Sequence, residues 1–324
     1  MPRAVVCREL GPPERLRLET FASAPLAQGQ VRVAVHAAGI NFPDILMAAG
    51  EYQLKPDLPF TPGVEAAGEV IEVNDAAGVD VGDKVILKLR HGAYADEAVV
   101  TPAQLMRLPS TFDYAEGATF LAAHGTAYHA LIDRGQIQPG EVLLVHGAGG
   151  GVGLAAVEIG KLLGATVIAA ASSEEKLVVA QAKGADHLVL YGREPFRDAV
   201  KRLTEGRGAD VVFDPVGGEI FENSLRCIAW GARILVIGFT GGIGLARTNL
   251  LMIKGASVLG VRAGEAIRKN PALGDARVKA LTAWAEAGRI RPNISHQLPL
   301  ENYAEAMRLL IDRKAIGRVA LMMR

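Results

Sequence analysis

The sequence predicts an α/β protein of two domains, a barrel-like antiparallel domain and a doubly wound parallel sheet, with the chain leaving the first to build the second and then returning. Three observations lead there. Residues 1–124 alternate short β-like runs with Gly and Pro, among them LRLET, VRVAVHAAG, VEAAGEVIEV and DKVILKL, the habit of an antiparallel barrel. Over residues 125–263 helical segments alternate with six apolar strands, from EVLLV and TVIAAA through HLVLY, DVVFD and RILVIGF to SVLGV, the order of a parallel sheet covered by helices. From residue 264 that alternation stops. A helix around Asp275 to Gly288, the stretch RPNISHQLPL, a helix from Glu301 to Arg313 and a last strand, GRVALMM, read as a return to the first domain over 264–324. A chain of 324 residues exceeds the usual size of one domain, and a cleft between two domains is a common place for a small-molecule site.

Composition narrows the function classes. The 35 basic and 35 acidic side chains cancel, so no electrostatic footprint for nucleic acid or an anionic membrane is visible. Cys7 and Cys227 stand far apart in sequence without Cys-x-x-Cys spacing, which indicates neither a disulfide framework nor a cysteine zinc site. The seven histidines are scattered, so no metal is expected. Glu158 and Lys161 interrupt the richest apolar stretch before it could span a bilayer, and MPRAVVCREL reads as an amphipathic strand, not a secretory signal. The expectation is a soluble cytoplasmic protein.

Residues 141–191 carry the strongest motif. Val142 to Val145 read as a buried strand, Gly147 to Gly151 as a turn without Cβ atoms, and a helix opens near Val152, followed by Gly164 at a helix C-terminal position and a second strand, Thr166 to Ala171. The G-x-G-x-x-G pattern appears as Ala148, Gly150 and Gly153, with Ala in the first slot. Backbone N–H groups and the positive end of the helix dipole would converge on an anion there, so the unit reads as a dinucleotide site for a pyrophosphate. An NAD-preferring site usually ends its second strand in Asp or Glu, whereas this strand ends Ala170, Ala171, Ser172, Ser173. Lys176 follows one helical turn later and Tyr191 ends the third strand, so hydroxyls and one ammonium could meet a 2'-phosphate, which points to NADPH. Ser172 and Glu175 equally have capping-box spacing.

In the first domain, Asn41, Asp44 and Tyr52 place polar groups in the otherwise apolar stretch GINFPDILMAAGEY. They could line a pocket, and Asn41 before Pro43 and Asp44 also suits a helix start.

The chain resembles the zinc-independent quinone oxidoreductases of the medium-chain dehydrogenase/reductase superfamily, the group that includes zeta-crystallin. The resemblance rests on GINFPDILMAAGEY, LPFTPGVEAAGEV, GAYADEAVV, GTAYHAL, HGAGGGVG, ASSEEK, FDPVGG, LVIGF and the terminal GRV. It implies a GroES-like catalytic domain around an inserted Rossmann domain. The catalytic group would be Asn41, Asp44 and Tyr52. The cofactor would be met by Asn41 and Phe42, by Thr126 at the ribose, by Gly150, Gly151, Val152 and Gly153 at the pyrophosphate, and by Ser172, Ser173, Lys176 and Tyr191 at the adenosine phosphate. Val216, Gly238 and Phe239 would line the nicotinamide side. Where zinc-dependent relatives carry Gly-His-Glu, this chain has Gly63, Val64 and Glu65, so the implied chemistry is hydride delivery without a Lewis acid, to a quinone or, alternatively, an enal, enone or enoyl thioester.

Leu46 and Ala48 stand where relatives often carry Tyr and Arg, implying a more apolar pocket. Arg247, Lys254, Arg262, Arg268 and Lys269 would be candidates for a coenzyme A tail and equally suit a solvated face. A non-enzymatic crystallin or RNA-binding role, known among relatives, is opposed by the neutral charge and by 5% aromatic residues. The resemblance further implies a homodimer paired near Ser257 to Arg262.

Overall fold

A computed structural model describes residues 1–323. The chain forms two compact units, one of residues 1–122 with the chain from Arg291 onward, the other Ala123–Ile290.

The first unit begins with β1 (Arg3–Val6) and β2 (Arg17–Thr20), an antiparallel pair, followed by β3 (Gln30–Gly39), α1 (Phe42–Ala49), β4 (Glu65–Asn74), β5 (Lys84–Lys88), β6 (Glu97–Val100), β7 (Leu105–Arg107) and α2 (Tyr114–Ala118). β3 is its axis, bonded antiparallel to β4 and to β6. Nearly every residue of β3 is buried, so hydrophobic alternation is lost there; a strand covered on both faces reads as a continuous apolar run. Gly68 on β4 allows this packing, since a Cβ there would lie 2.0 Å from the Ala34 carbonyl oxygen. Helix α1 is bounded by Asn41 at its N-cap, a proline in its first turn and the left-handed Gly50 (φ +77°) after its end. It presses Ile45, Met47 and Ala48 into a core shared with Val33, Ile40, Leu87 and Tyr94.

The second unit contains α3 (Leu121–Tyr128), which runs on as a π-helical turn, His129–Arg134, then β8 (Val142–Val145), α4 (Gly151–Leu162), β9 (Thr166–Ala171), α5 (Glu174–Ala182), β10 (His187–Leu190), α6 (Phe196–Leu203), β11 (Ala209–Asp214), α7 (Gly218–Ser224), β12 (Ile228–Val236), α8 (Thr248–Lys254), β13 (Ser257–Gly260), α9 (Ala263–Lys269) and α10 (Pro271–Glu286). The six strands pair in parallel in the order β10-β9-β8-β11-β12-β13. The strand order reverses between β8 and β11, the place where doubly wound sheets bind their ligands.

The chain then closes the first unit with β14 (Ile294–Pro299), α11 (Tyr303–Ile311) and β15 (Arg318–Met322), β15 lying between β14 and β3. The return therefore comes at Arg291, not at residue 264 as the sequence suggested. Helices α9 and α10 stay with the second unit because Arg277, 3% exposed, reaches Asp133 at 3.3 Å and the Ala263 carbonyl at 3.4 Å, while Trp284 packs on Tyr128. Loss of the strand–helix alternation marked the end of the sheet, but an amphipathic helix does not announce which body it covers. No helix of the described residues is long and apolar enough to cross a membrane.

Candidate functional site

The glycine-rich turn grows directly from β8. His146 extends the strand by one backbone bond to the Phe213 carbonyl, 3.0 Å, and Gly147 then takes φ +56°, the left-handed region where a Cβ is disfavoured. Ala148 occupies the first motif position without difficulty: its methyl is wholly buried and its N–H holds the Ala170 carbonyl at 3.0 Å. The left-handed step falls one residue before the motif. Gly150 is the N-cap of α4 and has no side chain to cap with, so the first N–H groups of that helix face outward for an anion. Gly153 is required for close packing, because a Cβ there would stand 2.3 Å from the Gly147 carbonyl oxygen.

At the end of β9, Ser173 caps α5 by accepting the Lys176 N–H at 3.4 Å; the cap is one residue later than the Ser172–Glu175 spacing suggested. The stem of Lys176 lies against Gly149, where a Cβ would meet Lys176 Cβ at 2.5 Å, and its Nζ donates to Ser172 Oγ at 3.3 Å. An ammonium is thereby held between the second strand and the glycine turn. Tyr191 is placed differently from the expectation. Its hydroxyl is directed to His146 Nδ1 at 2.8 Å and accepts from the Gly147 N–H at 3.4 Å.

Val216 and Gly238 are brought together at the end of β11. Asp214, 1% exposed, accepts from the Val216 and Gly217 N–H groups at 2.8 and 2.9 Å, and burial raises its carboxyl above the usual range. A Cβ on Gly238 would lie 3.2 Å from the Pro215 carbonyl oxygen, so that loop lies directly over Pro215. Phe239 is 55% exposed beside it, and Thr126 sits on α3.

The polar cluster of the first unit is assembled from remote segments. The Asn41 amide donates to Glu65 Oε1 at 3.1 Å and to the Gly39 carbonyl at 3.3 Å. Both neighbours only accept, which sets the amide's orientation. Glu65 is completed by a buried ion pair with Arg318 and by the Ala122 N–H at 2.9 Å. Asp44, grouped with the catalytic residues by resemblance, lies below the surface at 0% exposure. Its Oδ2 accepts from the Asn41 N–H at 2.9 Å and from the Tyr94 hydroxyl at 2.8 Å, while its Oδ1 has no partner. Desolvation pushes its pKa up to about 7 against the bonds from Tyr94 and Asn41. Asp44 therefore braces Asn41 from behind and does not face a substrate. Phe42 is 36% exposed, and Tyr52 is half-buried against the core.

Tyr94, Arg318, His146 and Ser224 were not read from the sequence. Their partners lie 50, 253, 45 and 78 residues away, and no local pattern carries such pairings. Among the described residues no group of three or more His, Cys, Asp or Glu could hold a metal, and the carboxylate of Gly63-Val64-Glu65 is paired with Arg318.

Residues 27–110 match the alcohol dehydrogenase GroES-like domain family and residues 151–276 the zinc-binding dehydrogenase family. The chain is 39% identical to a quinone oxidoreductase-like protein 2 homolog of Nematostella vectensis, covering 98% of this chain and 88% of that one. It is 32% identical to the quinone oxidoreductase of Homo sapiens, covering 99% and 98%. A solved Escherichia coli quinone oxidoreductase complexed with NADPH superposes with a TM-score of 0.91 at 28% identity, covering 99% of this chain and 100% of that chain. With both domain families in order and such relatives along nearly its whole length, the chain belongs to the quinone oxidoreductase family of the medium-chain dehydrogenase/reductase superfamily, the group that includes zeta-crystallin.

Proposed function

We propose that the protein is a zinc-independent, NADPH-dependent quinone oxidoreductase. The observation that carries this reading is the Lys176 ammonium at Ser172 Oγ, 3.3 Å, beside an uncapped helix N-terminus and a second strand without a terminal carboxylate. A Cβ on Gly149 would meet the Lys176 stem and one on Gly153 the Gly147 carbonyl oxygen, so the two glycines keep the turn tight against α4 and α5, whose first N–H groups and ammonium suit a phosphate-bearing ligand. When bound, NADPH supplies the hydride. Gly151, Val152 and Gly153 would bind the pyrophosphate through backbone N–H groups, Gly150 capping the helix with its own N–H given to the Gly147 carbonyl at 2.9 Å, and Ser172 and Lys176 would select the 2'-phosphate. Thr126, Val216, Gly238 and Phe239 position the nicotinamide side. In the first unit Asn41, its two amide hydrogens turned inward, keeps its carbonyl oxygen as the remaining polar atom, while Phe42 and Tyr52 supply aromatic surface. Leu46, partly exposed on α1, would give an apolar acceptor an apolar contact, while Ala48, 1% exposed, belongs to the core and not to the pocket the sequence suggested.

The family relationship and one feature of the fold support a homodimer in the cytoplasm. β13 is an edge strand, paired on one side with β12, and Trp230, Ile243, Leu245, Met252 and Ile253 are exposed apolar residues of the same unit, Trp230 at 78%; such surface marks an interface. Both cysteines are buried and unpaired, as suits reducing surroundings. Sedimentation should show a dimer that Trp230→Glu with Met252→Glu converts to monomer; a wild-type monomer rules the interface out.

The activity is tested by NADPH and NADH consumption against quinones, enones and enoyl thioesters. Turnover of quinones with NADPH preferred is expected. Turnover confined to enoyl thioesters would reassign the acceptor, and binding of neither dinucleotide would overturn the reading.

A further inference from the structure

Glu158 interrupts the apolar sequence of α4, between the buried Val157 and Ile159, and the glycine turn makes no use of it. Its Oε2 meets His124 Nε2 on α3 at 3.0 Å, and its Oε1 accepts from Nζ of Lys183, the residue that ends α5, at 2.8 Å. The three side chains are largely buried, His124 at 3%, Glu158 at 10% and Lys183 at 17% exposure. Desolvation by itself would raise the Glu158 carboxyl, but the bonds and charges of His124 and Lys183 outweigh it and hold the group below the usual carboxylate range. Burying such a group costs much of what its pairing returns, so net stability does not account for it. Register does. The rest of α4, GVGLAAVEIGKL, offers its neighbours small or smooth apolar side chains, which pack at more than one offset, whereas a hydrogen-bonded ion pair is satisfied at one.

We infer that His124, Glu158 and Lys183 are positioning residues that hold three parts of the dinucleotide site in register, Glu158 on α4 being tied by His124 to the helix of Thr126 and by Lys183 to the helix of Lys176. The inference rests on the proposed cofactor. Each helix brings its own contact. Thr126 stands two residues after His124, on the nicotinamide side. The N–H groups of Gly151, Val152 and Gly153 open α4 about two turns before Glu158. Ser173 caps the helix that Lys183 ends. All of these residues belong to the second unit. An extended ligand touching three helices gains fully only when their separations match its own. The two arms therefore act on different stretches of the ligand: the α5 arm sets the 2'-phosphate subsite against the pyrophosphate, and the α3 arm sets the nicotinamide side against both.

The test uses the whole protein and two ligands, NADPH and adenosine 2',5'-bisphosphate, which carries the 2'-phosphate and one phosphate of the pyrophosphate but no nicotinamide half. Dissociation constants are measured by calorimetry for wild type, His124→Leu and Lys183→Met, with Tm alongside. His124→Leu is expected to weaken NADPH about two- to tenfold and to leave the bisphosphate unchanged. Lys183→Met is expected to weaken both ligands by a common factor. A third variant, His124→Leu with Glu158→Met and Lys183→Met, makes the whole group apolar; it should keep or raise Tm, as apolar replacement of a complete buried ion group commonly does, while NADPH stays weakened. Equal loss of the two ligands in His124→Leu overturns the inference, and so does wild-type affinity in the triple variant. A lowered Tm with every dissociation constant unchanged would make the group purely structural and overturns it as well. Wild-type protein that binds neither ligand would instead remove the cofactor reading beneath it, a result distinguishable from all of these.

Discussion

The glycine turn of the second unit and the Asn41 cluster of the first are both buried polar constructions, but they are built in opposite ways. The turn is made of backbone, and the groups that shape it come from one βαβ stretch: Gly147, Gly150, Gly153 and, one strand later, Lys176. The Asn41 cluster is made of side chains from β4, β15, α1 and the segment before β6, with partners up to 253 residues apart. Backbone N–H groups at a helix start carry a fixed partial charge whatever the solvent does. A side-chain cluster in a core has to balance its own charges, and removal of one member exposes the rest.

The largest effect that would sharpen this comparison is therefore expected at Arg318. Arg318→Met leaves the Glu65 carboxylate buried without its cation and should cost about 3–5 kcal/mol of stability, read as a lowered urea midpoint. A change below about 1 kcal/mol would mean the cluster tolerates loss of a member as a surface pair does. Lys176→Ala comes next. Loss of one charge-assisted contact, roughly 1.5–3 kcal/mol, should raise KM for NADPH about ten- to a hundredfold with little change for NADH and none in Tm. Gly153→Ala tests the backbone side of the contrast. Its Cβ would meet the Gly147 carbonyl oxygen at 2.3 Å, and the displaced turn should cost about 1–3 kcal/mol and weaken both dinucleotides together.

The most gradual effect, spread over several pH units, is the pH dependence of Asp44. Its carboxyl, ordinarily at 3.8, is raised to about 7 by desolvation, with Tyr94, Asn41, Glu65 and Arg318 as the groups facing it. The folded state then binds a proton that the unfolded state has already released between those values. This contribution to stability is complete below about 4 and is lost as pH rises toward 7, with a slope of at most about 1.4 kcal/mol per pH unit. Asp44→Asn, which mimics the protonated carboxyl, should flatten that component of the unfolding profile; identical profiles for variant and wild type would place the titration elsewhere.

The two regions also differed in how far they could be read before the structure. β8 and β9 run from Val142 to Val145 and from Thr166 to Ala171, as the apolar runs indicated, and Gly164 takes φ +81°, as a glycine after a helix end should. In the first unit Asn41 was recognised both as a helix start and as a site residue, and it is the N-cap of α1 with its amide bound to Glu65. Glu65 had been noticed only for the histidine missing beside it. Tyr94 drew no attention within GAYADEAVV. The assignment of α9 and α10 to the second unit depended on Arg277 finding Asp133, 144 residues away.

By itself the sequence determined the order of strands and helices, the glycine turn, the absence of a terminal carboxylate on the second strand and, through its ordered motifs, the family, because each is written in residues close together in the chain. Tertiary structure alone decided that Asp44 is a buried brace, that Tyr191 turns its hydroxyl to His146 and that the chain returns at Arg291. Those outcomes depend on which polar groups find a partner once water is excluded, and a partner distant in sequence leaves no periodic signal.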